Sequence, residues 1–326
     1  MQWGELESVA ACHVPGKGTL EIQRLSTGLV NETYRVLRDG SAHALRVAAA
    51  SSRDLGLDRA WEARVLKSAG AADLAPALEY CDPQRGILIA RWIDGRSWSP
   101  ADVRLQSNIR RMAEFMRRIH ALPMPEPARV MSPTAWIAHY RAAVRRSVPD
   151  SNAGAAPNAT ADTRAADALR TAATARLAAL AALPSVDPVV CHSDLHALNL
   201  VDRGVSLALL DWEYAHAADP LWDLAGWSAN NDFDDGLTHD LLTRYAGRPP
   251  THDECLRLRL LAWLYDYVCL LWSELYLNLH RAGAGAGAGA GVRAAGMQSA
   301  ALQSDPARDD IAARARLLAL RLDASK

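Results

Sequence analysis

The sequence predicts an α+β fold in two lobes: an N-terminal antiparallel sheet carrying one helix, then a larger and mainly helical part. Three observations carry this expectation. Apolar and polar side chains alternate in short runs through the first hundred residues, the apolar spacing lengthens to the helical period beyond Pro100, and 326 residues, 50% of them hydrophobic, can bury more core than one ordinary domain holds.

Each element follows from local chemistry. Residues 20–25, 33–37 and 43–47 are strand-like runs split by Ser26-Thr27-Gly28 and by Asp39-Gly40, which makes them an antiparallel meander. Trp61, Val65 and Leu66 fall at helical spacing within 58–68, Gly70 closes that helix, and 86–92 is a further strand. Ile109, Met112, Phe115, Met116 and Ile119 open the helical part. Small and turn-forming residues at 148–162 predict a surface insertion, and the alanine-rich run 165–183 a helix. From Ala282, alanine alternates with glycine. Side chains this small cannot pack a core, and ordering them costs backbone entropy, so 282–296 is expected as a linker before an amphipathic helix at 311–322. The expected division of the chain is 1–95, 96–281, 282–296 and 297–326.

Composition removes several classes of function. With 36 basic and 37 acidic side chains the net charge is -1, which lacks the dense basic field that a nucleic-acid binder needs. The longest apolar runs, such as 260–264, are broken by Asp266 and Glu274, so no membrane span is expected. Residues 1–5 have neither a positive start nor an apolar stretch, which argues against export. Cysteines 12, 81, 191, 255 and 269 form no C-x-x-C pair and fit reduced thiols in the cytoplasm. Oligomeric state is not legible in any of these features.

Chemistry concentrates in Val190-Cys191-His192-Ser193-Asp194-Leu195-His196-Ala197-Leu198-Asn199-Leu200 and in Leu207-Ala208-Leu209-Leu210-Asp211-Trp212-Glu213-Tyr214. Apolar residues on both sides imply short buried strands that push two acids and one amide into a cleft. Phosphoryl transfer needs a base near the acceptor hydroxyl and oxygen ligands for a metal bridging the nucleotide phosphates. Asp194 suits the first task, and Asn199 with Asp211 suits the second, because Mg²⁺ prefers carboxylate and amide oxygens. The spacing H-x-D-x-x-x-x-N followed by an acid at a strand end is that of a kinase-type catalytic loop and metal acid. His192, Asp194 and His196 could instead bind Zn²⁺ or iron, but no further His/Cys pair with ligand spacing accompanies them.

These motifs, together with Asp219-Pro220-Leu221-Trp222-Asp223-Leu224-Ala225, resemble the choline/ethanolamine kinase and aminoglycoside phosphotransferase superfamily over about 25–276. The resemblance implies a protein-kinase-like fold, ATP and Mg²⁺ as cofactors, Asp194 as catalytic base, Asn199 and Asp211 on the metal, His192 as a brace for the loop and Asp223 as a structural acid. It also implies that the loop containing Gly28 and Asn31 covers the nucleotide phosphates. Arg46 stands where protein kinases carry a phosphate-binding lysine, with Glu62 as its partner, and Arg91, Trp92 and Ile93 form the hinge that holds adenine. Arginine at that place resembles the choline kinase branch.

The implied acceptor is a hydroxyl on a small cationic metabolite: choline, ethanolamine or a similar amino alcohol, with thiamine or an aminoglycoside as alternatives. Tyr214, Asn230 and Trp272 are the residues expected to meet it, since aromatic faces attract ammonium groups. Two positions depart from the choline kinase pattern: Cys269 stands where a second tryptophan is usual, and Asn230 where relatives offer a glutamate. Asp232, Asp234 and Asp235 are the nearby carboxylates. Trp263, Tyr265, Tyr267 and Tyr276 are expected mainly to fill core. A nucleotide-binding pseudokinase is the non-enzyme alternative, and retention of Asp194, Asn199 and Asp211 argues against it.

Overall fold

The four expected runs and one further strand form a five-stranded antiparallel sheet in the order β1-β2-β3-β5-β4. Its strands are β1 (Glu21–Thr27), β2 (Asn31–Arg38), β3 (Ser41–Ala48), β4 (Leu78–Asp82) and β5 (Ile87–Arg91). The computed structural model describes residues 1–27, 30–49, 52, 54–147, 161–286 and 306–324. These fall into two compact units: Met1–Ser132 with Leu183–Ala262, and Pro133–Ala182 with Trp263–Lys326.

In the first unit, alternate residues of the sheet turn inward, and Tyr34, Val36, Leu45, Val47, Ile87 and Ile89 make its core. A helix absent from the strand-dominated expectation, α1 (Trp3–His13), covers that face with Leu6, Val9 and Ala10. β4 is likewise unannounced by period, because all five of its residues are half-buried and neither face is cleanly apolar. Helix α2 (Arg59–Ala71) starts where Asp58 accepts the amide of Trp61 at 2.9 Å and buries Trp61, Glu62, Val65 and Leu66. Of the strand β5 residues, Ala90 and Leu88 pair with Ala44 and Arg46 of β3.

After β5 the chain is pinned to the part that follows. Arg96 exchanges backbone hydrogen bonds with Asp202, and a Cβ on Gly95 would lie 2.5 Å from Val201 and 2.7 Å from the Asp202 carbonyl, so only glycine fits. The Asp202 carboxylate accepts from Arg111 at 2.7 and 2.8 Å and from the Trp98 indole at 2.7 Å. Helix α3 (Gln106–His120) follows, its apolar face carrying Ile109, Met112, Phe115, Met116 and Ile119.

Four three-residue strands then make two small sheets: β6 (Val189–Cys191) pairs with β9 (His216–Ala218), and β7 (Leu200–Asp202) with β8 (Leu207–Leu209). Helices α6 (Leu221–Asn230) and α7 (Asp235–Ala246) complete this unit, Asp234 capping α7 through the Leu237 amide at 2.8 Å.

The second unit contains α4 (Pro133–Ser147), α5 (Ala161–Ala181), α9 (Pro306–Ala324) and the greater part of α8 (His252–Ala286). Trp263, Tyr265, Tyr267 and Tyr276 are buried there, and Arg176 lies 4.2 Å over the Trp263 ring. Over His252–His280, α8 is long and apolar enough to cross a membrane, contrary to the expectation from its interrupting acids. However, 67% of its most apolar window is buried inside the protein. The helix continues into the alanine–glycine run as far as Ala286, alanine being the best helix former. The rest of the expected linker, 287–296, and the insertion at 148–160 lie outside the described residues.

Buried His216 makes the small sheets pH-sensitive. Its Nδ1 faces the Tyr214 carbonyl at 2.8 Å, and burial pulls its pKa down to about 4. The unfolded chain takes up this proton near pH 6.5 while the folded chain resists until about pH 4, so stability is complete at neutral pH and falls between those values. The full penalty is about 3 kcal/mol. Urea midpoints of the wild type should therefore drop from pH 7 to pH 4.5 by more than those of His216→Gln; equal drops would place the acid sensitivity elsewhere.

Candidate active site

The two small sheets bring the polar residues of 192–211 together. Leu200 pairs with Leu209 across β7–β8, and one step beyond, the Leu210 amide donates to the Asn199 carbonyl at 2.8 Å. That hairpin end sets Asn199 beside Asp211. Within the loop before β7, Asn199 Nδ2 donates to the Asp194 carbonyl at 3.1 Å and to its carboxylate at 3.3 Å. Such donation leaves Oδ1 of Asn199 as the oxygen available to a cation. The Asp194 charge in turn acts on Asp211. Asp194, Asn199 and Asp211 thus form one group of oxygen-bearing side chains.

Two residues of this group's backbone occupy the left-handed region, Ser193 at φ 70° and Asp211 at φ 58°. Non-glycine residues there carry strain of about 1–3 kcal/mol each, maintained by the surrounding structure. For Ser193 the restraint is Asp223, whose two oxygens accept the amides of His192 at 2.9 Å and Ser193 at 2.7 Å. His120 on α3 approaches the same carboxylate at 3.2 Å and Tyr245 OH at 2.8 Å. Burial raises the Asp223 pKa, but hydrogen bonding and charge from His120 outweigh it and hold the acid below its ordinary value. His192 is fully buried, contacts the Leu210 carbonyl at 2.9 Å and has its pKa lowered by burial. It braces the loop against the strand that leads to Asp211.

Facing Asp211 is Arg46 of β3, which donates to it at 2.6 Å and to Glu62 of α2 through its other terminal nitrogen. The network extends further than spacing reveals. Arg59 donates to Glu62 at 3.0 Å, to Glu213 at 2.8 Å and to Asn31 at 2.9 Å, while Asn31 donates to Glu213 at 2.8 Å. Burial is the main cause that raises the pKa of Asp211, and it pushes Glu213 up to about 7 with Asp211 adding to the effect. Glu62 feels the same burial, but Arg46 and Arg59 prevail and keep it ionised.

This environment fits a divalent cation and phosphate. Two guanidinium groups meet three carboxylates, Glu62, Asp211 and Glu213, and Asp194 adds a fourth, so negative charge is in excess beside Asn199 and Asp211. Hard oxygens in that number suit Mg²⁺. The Nε–H groups of Arg46 and Arg59 are buried without an acceptor, which leaves donor capacity for an anionic oxygen.

Residues 21–258 match the model of the phosphotransferase enzyme family, more than half of the chain. The chain belongs to that family. Among solved structures, a choline/ethanolamine kinase family protein from Mesorhizobium loti is 26% identical with a TM-score of 0.67, over 99% of this chain and 94% of that one. A choline kinase from Streptococcus pneumoniae is 18% identical with a TM-score of 0.69, over 98% of each chain. Spectinomycin phosphotransferase in complex with ADP and spectinomycin is 13% identical with a TM-score of 0.56, over 99% of each. No curated protein matches the sequence. The chain is a small-molecule phosphotransferase with the kinase-like α+β fold expected from its sequence.

Other expected positions of this phosphotransferase are less concentrated. Gly28 lies outside the described residues. The amides of Arg91 and Trp92 are taken up by the sheet, donating to Ala77 at 2.8 Å and Ala42 at 3.0 Å, so a base at this edge would meet the Ile93 amide or carbonyls. The Arg91 side chain pairs with Glu79, and the Trp92 indole donates to Asp94 at 3.0 Å beneath Arg35. Tyr214 closes a short 3-10 turn with Trp212 after Asp211, and its carbonyl faces His216. Asn230 ends α6 and donates to the Leu195 carbonyl at 2.9 Å. Trp272 belongs to the second unit, stacked on Tyr276 at 5.3 Å. His196, the third member of the alternative metal set, lies 3.6 Å from Asp194, but His192 is turned to Leu210 and does not complete a ligand cluster with them.

Arg59 and Glu213 escaped sequence reasoning because they meet each other across 154 residues and share Asn31, which lies 28 and 182 residues from them. Removing Arg59 leaves the buried Glu213 carboxylate with only the Asn31 amide among its partners named above. Arg59→Leu should therefore cost about 3 kcal/mol of stability in urea unfolding, and Arg59→Lys, which keeps the charge but not the fork, distinctly less. A loss below about 1 kcal/mol for the leucine variant would show that the network contributes little.

Proposed function

We propose that this phosphotransferase transfers the terminal phosphoryl group of ATP, with Mg²⁺, to a hydroxyl of a small cationic metabolite such as choline, ethanolamine or a similar amino alcohol. The observation that carries the reading is the grouping of Asp194, Asn199 and Asp211 opposite Arg46. In this reading residues 1–95 hold the nucleotide and 96–281 carry catalysis and acceptor recognition. Complexes of similar proteins with AMP and with ADP support the choice of nucleotide. Choline kinase and ethanolamine kinase likenesses support the choice of acceptor. We place the enzyme in the cytoplasm, a reading supported by its five free cysteines.

Asp194 orients the acceptor hydroxyl and takes its proton as the oxygen attacks. Asn199 and Asp211 are the residues that would hold Mg²⁺, which when bound neutralises charge on the nucleotide's phosphate oxygens. Arg46, kept in place by Glu62 and Asp211, would meet the same phosphates, and the loop containing Gly28 that leads to Asn31 is assigned to cover them. Arg91, Trp92 and Ile93 border the base. Tyr214 and Trp272 remain the acceptor-side residues of this reading, while Asn230, whose amide donates to the Leu195 carbonyl, is assigned to the catalytic loop instead. Most of the rate gain comes from positioning and charge rather than covalent chemistry.

Assay of ATP consumption against choline, ethanolamine, thiamine and an aminoglycoside tests the proposal. Asp194→Ala should lower kcat by about 10²- to 10⁴-fold with ATP affinity little changed. Asp211→Ala should remove the Mg²⁺-dependent part of ATP affinity. Wild-type kcat in the first variant would refute the base, and unchanged Mg²⁺ dependence in the second would refute the metal acid. Turnover of only thiamine or the aminoglycoside would move the acceptor class, and Mg·ATP binding without turnover of any acceptor would favour a pseudokinase.

A further inference from the structure

We infer that Asn230 is a positioning residue for Asp194, one half of a two-point clamp by which helix α6 holds the catalytic loop. The inference rests on the reading of Asp194 as proton acceptor. Asp223 is the other half, fixing the loop on the N-terminal side of Asp194 through the amides of His192 and Ser193 at 2.9 and 2.7 Å. Asn230 comes seven residues later on the same helix, which is two turns, so both side chains leave one face. Its Nδ2 donates to the carbonyl of Leu195 at 2.9 Å, fixing the loop on the C-terminal side.

Each anchor has the chemistry that its side of the loop demands. A carboxylate only accepts, and it meets two N–H donors; an amide can donate, and it meets a carbonyl. Exchanging the two types would leave oxygen against oxygen at Leu195. This explains why an amide, rather than an acid, stands at position 230. The loop needs a hold on both sides because Ser193 sits at φ 70° immediately before Asp194, a conformation that relaxes when the surroundings loosen. Asp194 itself is only half-buried, so its direction depends on its flanking peptides more than on packing of its own side chain. Asn199 holds the Asp194 carbonyl from within the loop, and it too moves if the loop turns.

Hydrogen–deuterium exchange on the full chain reads the clamp without reference to any acceptor. Peptides covering 192–199 should exchange about 10-fold faster in Asn230→Ala and Asn230→Asp than in wild type, with β2, β3 and β5 unchanged. In the acceptor panel, kcat with Mg·ATP should fall by about 10-fold or more while KM for ATP and for the acceptor stays within about twofold. Should the aspartate variant fail to fold, the alanine variant, which introduces no charge, carries the test. Unchanged exchange at 192–199 would overturn the clamp. Faster exchange with wild-type kcat would overturn the positioning role, and a raised acceptor KM at unchanged kcat would make Asn230 a substrate contact instead. If Asp194→Ala keeps wild-type turnover, the base assignment fails and the positioning role with it. That failure is recognisable because exchange at 192–199 still rises in Asn230→Ala.

Discussion

Arg46 bonded at once to Glu62 and Asp211 is the contact on which the site depends. It joins strand β3 and helix α2, neighbours in the chain, to the turn after β8, 165 residues beyond Arg46. Burying two guanidinium groups among three carboxyl groups costs several kcal/mol per ion unless each finds opposite charge and hydrogen bonds. Here Arg59, Glu213 and Asn31 extend the network, so that Glu62 and Glu213 each accept from more than one donor and β2, α2 and the turn after β8 are tied together. Glu213 remains the member least well compensated, since burial and the Asp211 charge push its pKa up to about 7 in spite of Arg46 and Arg59.

A second constraint acts on the backbone. Asp194 and Asp211 each lie next to or in a left-handed residue, and such residues relax unless held. Two different devices hold them. Around Asp194 the restraint is polar, from Asp223 and His120 on neighbouring helices. Around Asp211 it is the β7–β8 hairpin continuing through the Leu210–Asn199 backbone bond, with Trp212 fully buried and its indole bonded to the Leu209 carbonyl at 3.0 Å. His192 connects the devices, its ring reaching from the first loop to Leu210 in the second.

Much of the fold was legible because period reports burial when one face is buried. β5 is legible as a continuous apolar run buried on both faces, whereas β2, β3, α2 and α3 all show the period. It fails for β4, where every residue is half-buried, and for α1, whose short stripe of Leu6, Val9 and Ala10 is flanked by exposed Cys12 and Trp3. The proximity of Asp194 to Asn199 follows from five residues of loop, and that of Asn199 to Asp211 from a hairpin whose two short strands are apolar and buried throughout apart from the charge of Asp202. Glu213 had no such signal. It lies two residues past Asp211 on a short turn, and its partner Arg59 is brought to it only by the fold.

The same distinction explains Asn230. Compared position by position with kinases that carry an acid there, it reads as a missing charge for the acceptor. Its hydrogen bond gives it a different meaning, because an amide and a carboxylate of similar shape differ in what they can face. An acceptor site can recruit negative charge from any nearby side chain. A backbone carbonyl beside the proposed base can be held only by a donor. When a position departs from a family pattern, the departure therefore says most when the atom it bonds is known: here that atom belongs to the loop.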